Sequence, residues 1–136
     1  MSDFKSHKDL QAWQVAMDMV IVVYRLSADF PTAERFGLAS QMRRAATSVP
    51  SNIAEGQARG LARACVNFLR IVLGSLAELD TQLEIATRLN YLSPGQIQEL
   101  GTLIVCTRKL VSGLLRSKVK RLRDKAPGIG NLGPGH

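Results

Sequence analysis

A proline inside a helix removes a backbone donor and costs roughly 3 kcal/mol, so a chain that keeps one there must recover the loss in packing. Here Pro50 stands in the stretch LASQMRRAATSVPSNIAEGQAR, residues 38–59. The apolar residues Leu38, Met42, Ala45, Val49 and Ile53 recur at steps of four, three, four and four, and Gly56 falls on the same face. That is the spacing of one α-helical stripe. A second stripe of Gln41, Ser48, Asn52, Glu55 and Arg59 borders it, placing polar groups where they can bond across a helix–helix contact. The phase passes Pro50 without a slip, which predicts one helix kinked at Pro50. A break, with Ser48 capping a new helix, is the other reading open at this level.

Three further helices are expected. The first runs from about Lys8 to Ala28 and stops before Phe30-Pro31. Only Gln11, Gln14, Asp18 and Arg25 form a narrow polar stripe on it; nearly everything else is apolar. One small subunit does not easily cover such a helix, so Met19, Val22, Val23 and Leu26 are candidate oligomer-interface residues. The third helix is expected from about Leu61 to Asn90, after Gly60 as a C-cap, with a seam of Leu61, Cys65, Phe68, Leu69, Val72, Leu76, Leu79, Leu83 and Ala86. On the fourth, Ser93, Pro94 and Gln96 form the start signal of a capping box. Its seam is Ile97, Leu100, Ile104, Val111 and Leu114, and it is expected to fray near Arg121. With 46% hydrophobic but only 5% aromatic residues, the core is aliphatic. The fold class expected is all-α, an antiparallel up-down four-helix bundle over residues 1–120. A basic and then Gly/Pro-rich flexible tail over 121–136 follows it.

Several pieces of the chain resemble a known family: DLQAWQVA near the start, FPTAERFGLASQMRRAATSVPSNIAEGQAR in the middle and FLRIVLGSLAELDTQL in the third helix. They are similar to the bacterial four-helix-bundle proteins named after the intervening sequences of 23S rRNA genes, over about residues 4 to 120. The resemblance implies a bundle that assembles into a homopentamer. More distantly, the chain resembles the accessory variability determinant of diversity-generating retroelements, a basic pentamer that binds nucleic acid and a reverse transcriptase. The family has no established activity or catalytic site, so the resemblance carries no catalytic residues over.

The net charge is +7, and residues 117–136 hold five Lys and Arg against Asp124, a net +4. A basic end of this kind suits a polyanion such as RNA or DNA. Candidate phosphate contacts are Arg43 and Arg44 on the second helix and Arg63, Arg70 and Arg88 on the third. The cluster Lys118, Lys120, Arg121, Arg123 and Lys125 completes the set. Catalysis and metal binding lack their residues, since the histidines, His7 and His136, lie near the termini and neither Glu-x-x-His pairs nor a glycine-rich phosphate loop occurs. Glu55 is expected either to pair with Arg59 four residues on or, with Glu78, to accept hydrogen bonds between helices. Cys65 and Cys106 are expected to be buried free thiols. No cofactor is expected, the start MSDFKSHKDL lacks an apolar signal core, and a cytoplasmic location without membrane anchoring follows. Two functions stand: a non-enzymatic oligomeric nucleic-acid-binding accessory factor, or a protein–protein scaffold without nucleic-acid binding.

Overall fold

The computed structural model describes residues 6–7 and 10–125. Four helices make up the fold: α1 (Gln11–Ser27), α2 (Leu38–Arg59), α3 (Ala62–Arg88) and α4 (Pro94–Asp124). No strand occurs among the described residues. Helix α1 packs on α2 and α4, and α3 packs on the same two. Each cross-helix contact advances along one helix as it recedes along the other. Gly56 of α2 lies against Cys65 and Phe68 of α3, whereas Ser48 meets Ser75. On the other side Met19 meets Thr107, and Arg25 meets Glu99.

Helix α2 runs unbroken through Pro50, which is itself buried. The break at Ser48 is therefore set aside. All six positions of its apolar stripe are buried; of the polar border, Ser48 bonds across the seam, its hydroxyl donating to Ser75 Oγ at 2.6 Å, whereas Asn52 donates to the Ser48 carbonyl and Arg59 pairs with Glu55 within the helix. At Gly56 the two helices approach closely. A Cβ there would stand 3.1 Å from Phe68 Cβ and 3.4 Å from Cys65 Cα. Gly60 ends the helix with φ +71, a conformation that suits glycine.

Helix α4 begins with the expected capping box, Ser93 Oγ accepting from the Gln96 amide and Gln96 Oε1 from the Ser93 amide. The core of the bundle takes Leu69, Leu76 and Leu79 from α3 and Leu100, Ile104 and Val111 from α4. The gap in the expected α4 seam is filled by Thr107, fully buried, its hydroxyl donating to the Leu103 carbonyl at 2.7 Å.

The structure departs from expectation at several positions, each for a geometric reason. Leu61 is 68% exposed, because it is the extended N-cap of α3 and precedes the helical phase. Cys106 is exposed while Cys65 is buried, and both are free thiols. Cys106 follows the core-lining positions by one residue too few, about 100° round from Thr107. Ile97, Leu114 and Phe68 are half-buried seam edges. Helix α4 continues three residues past Arg121, to Asp124, since Leu115, Val119 and Leu122 extend its apolar phase and no Gly or Pro interrupts that stretch. The Gly/Pro-rich end from residue 126 lies outside the described residues, as do Lys8 and His136.

Helix α1 needs the largest correction. Met19, Val23 and Leu26 are buried in the subunit's own core, so they offer no surface to a partner. Of the four candidate interface residues only Val22 keeps a partly open side. The bundle covers more of α1 than its composition suggests because α2 and α4 flank it on two sides. What stays outside is a narrower strip with Ile21, 63% exposed, and Tyr24.

Candidate nucleic-acid interface

The cations fall into two classes, tied and open. Arg43 is tied. Its Nε donates to Ser27 Oγ at 2.8 Å, its Nη2 donates to the Tyr24 carbonyl at 3.3 Å, and its guanidinium lies 4.6 Å from the Tyr24 ring centroid. It fastens the end of α1 to α2, so the expectation that Arg43 contacts phosphate gives way to a structural role. Arg88 pairs with Glu84 and Arg59 with Glu55, each at i,i+4, and Arg25 of α1 pairs with Glu99 of α4. Arg59 also covers the Phe68 ring at 5.4 Å.

Glu34 belongs to the same tied end and was missed by sequence reasoning. It closes a short 3₁₀ turn, Thr32–Glu34. One carboxylate oxygen accepts from the Leu38 amide at 3.2 Å and the other from the Tyr91 hydroxyl at 2.8 Å. It thereby caps α2, whose N-cap Gly37 has no side chain to do so. The hydrogen bond to Glu34 holds the Tyr91 hydroxyl above its ordinary pKa, with desolvation and the carboxylate charge acting in the same direction. An acid four residues before a helix that lacks a capping residue was the available signal.

The open cations gather at the opposite end. Arg63 and Arg70 on α3 are exposed, as are Lys120, Arg121, Arg123 and Lys125, while Lys118 is half-buried. Arg44 is exposed too, donating only to Ser40 Oγ one turn back, but it lies at the tied end of α2. Lys118 and Arg121 reach the start of α3: their charges lower the Cys65 pKa, although burial outweighs them and pushes the thiol up.

Sequence reasoning also passed over Arg108, Lys109 and Arg116. Residues 100–123 contain seven Lys and Arg and no Asp or Glu. Within that stretch Lys109, Arg116, Lys120 and Arg123 step by seven, four and three, so they share one face of α4, and all four are exposed. The signal was the absence of acids rather than the density of bases.

Because neighbouring helices oppose their directions, residues 48–71 and 105–125 meet in one half of the bundle. That half carries eleven Lys and Arg against Glu55 and Asp124, and the half formed by 18–47 and 72–104 carries five against seven acids. The described charge is therefore polarised along the bundle axis, +9 at one end and −2 at the other. Among the described residues no three His, Cys, Asp or Glu side chains gather as metal ligands. No helix of the described residues is long and apolar enough to cross a membrane.

Comparison with known proteins agrees with the fold. The chain superposes on the crystal structure of a Bacteroides thetaiotaomicron protein of unknown function from the S23 ribosomal protein family. The TM-score is 0.72 at 20% identity, covering 77% of this chain and 95% of that one. No curated protein matches the sequence. The pattern of the 23S rRNA-intervening sequence proteins matches residues 8–113, through the SVPSNIAEG segment of α2 and into α4, and the chain belongs to that family.

Proposed function

We propose that this chain is a non-enzymatic bundle protein that assembles with copies of itself and binds nucleic acid through its basic end. The observation that carries the reading is the polarised charge, eleven cations against two acids in one half. Most of those cations have no carboxylate partner among the described residues. Phosphate contacts of this kind are individually weak and independent of sequence, and repetition around an oligomer strengthens them. Five subunits is the number the family resemblance implies. The test is retardation of RNA and DNA by the full chain at about 50 and 200 mM salt, where affinity for a phosphate-bound ligand falls by orders of magnitude. Absence of retardation at low salt overturns the reading.

The scaffold reading rests on a different observation, the exposed apolar residues Ile21 and Tyr24 on α1 and Ile71 and Ile85 on α3. Sedimentation separates assembly from nucleic-acid binding. A chain that sediments as a monomer at micromolar concentration removes self-assembly from the proposal, and Ile21→Glu should dissociate an oligomer that uses the α1 strip.

A further inference from the structure

The basic face of α4 also carries information about which form of nucleic acid it fits. From Lys109 to Arg123 the row spans fourteen residues, about 21 Å at 1.5 Å per residue. It is held on a continuous helix, so the spacing of its charges is rigid. A duplex presents one phosphate per strand every 3.4 Å of axis, and the row therefore covers about six base pairs of backbone.

The same face lacks what single strands require. Residues 94–125 contain no aromatic residue. Among the described residues of α1–α3 near that end, the aromatic rings are Trp13, which packs against the core edge with His7 beside it, and Phe68, half-buried beneath the Arg59 guanidinium. Proteins that hold unpaired strands gain about 1–3 kcal/mol per base from stacking on exposed rings. With that contribution absent, binding is electrostatic alone, and the ligand of higher charge density wins. Counterion release per neutralised phosphate is larger for a duplex, about 0.9 against about 0.7 for a single strand.

We infer that the α4 face formed by Lys109, Arg116, Lys120 and Arg123 binds the backbone of double-helical nucleic acid in preference to unpaired strands. The inference rests on the nucleic-acid reading above and narrows it to one ligand class and one face.

The experiment uses the full chain and four labelled probes in fluorescence anisotropy: a 20-base-pair duplex, each of its two separated strands, and an unstructured RNA of equal length. Probes are titrated from about 50 to 200 mM salt, across which phosphate-driven binding changes steeply. The duplex should bind at least about tenfold more tightly than any single strand, with a log–log salt slope near −3 to −4 per subunit for four phosphate contacts. The triple variant K109E/R116E/K120E should lose that preference and flatten the slope, while R44E at the other end leaves both unchanged. Circular dichroism and sedimentation of each variant show that fold and assembly are retained, all four substituted positions being exposed. Equal or tighter binding of single strands overturns the duplex inference and leaves the nucleic-acid reading standing. Binding to none of the probes at low salt overturns both. A triple variant that keeps its fold, affinity and slope overturns the assignment to this face.

Discussion

The two ends of the bundle use similar residues for opposite ends. Where α1 turns into α2 and α3 into α4, charged side chains are spent on closing the structure: Arg43 on Ser27 and Tyr24, Glu34 on Leu38 and Tyr91, Arg25 on Glu99. At the other end the helices are fastened by close backbone approach at Gly56 instead, and the cations of α4 are mostly exposed and form no ion pair among the described residues. A charge held by a partly buried partner contributes to stability, whereas an isolated surface charge contributes little to it and much to the surrounding field. The same residue type thus holds one end together and leaves the other free to attract a polyanion.

That contrast concerns the surface, so the core beneath should be alike at both ends. Leu100 lies in the tied half and Leu69 in the basic half, and both are buried. Replacing either with Ala should cost about 2–5 kcal/mol in urea denaturation, with no systematic difference between them. A basic half markedly less sensitive than the tied half would mean that its core is loose.

A smaller effect separates the cations themselves. Arg43→Ala removes donors to the buried Ser27 hydroxyl and to a backbone carbonyl and should destabilise by about 1–2 kcal/mol. Lys120→Ala should stay within about 0.5 kcal/mol while weakening nucleic-acid binding. Equal effects of the two on stability would erase the distinction between tied and open charge.

Gly74 tests the outer face of α3, where a Cβ would meet nothing within 4 Å. Gly74→Ala should stabilise the helix by up to about 1 kcal/mol. If the variant instead falls apart from an oligomer in sedimentation, a neighbouring subunit packs on that glycine. The smallest effect is kinetic. Cys106 is exposed and Cys65 buried with its thiol pushed up, so at pH 7.5 maleimide should label Cys106 first and Cys65 only slowly. Rapid labelling of both would show that the basic end opens where Cys65 packs.

Much of the fold was legible from residue spacing alone. The bounds of α2, its buried stripe through Pro50, the capping box at Ser93 and the glycine end at Gly60 all follow from local periodicity and backbone preference. These are properties a helix has before it meets any other. The polar residues inside the molecule were not legible. Nothing in the spacing singles out Ser27 or Thr107, yet both are buried, with Arg43 donating to one hydroxyl and the Leu103 carbonyl accepting from the other. Nor could the sequence say that Met19, Val23 and Leu26 would be covered within the subunit, since coverage depends on which helices flank α1.

By itself, then, the sequence determined the four helices, their apolar faces, the aliphatic core and an excess of positive charge, all of which depend on neighbours a few positions apart. The tertiary structure alone decided where that charge resides. Arg63 and Arg70 lie some fifty residues from Lys118 and Arg123, and only the reversal of direction between α3 and α4 brings them to one end. It also decided which arginines are spoken for, because a side-chain partner across a helix interface is set by packing and leaves no trace in the spacing of either helix.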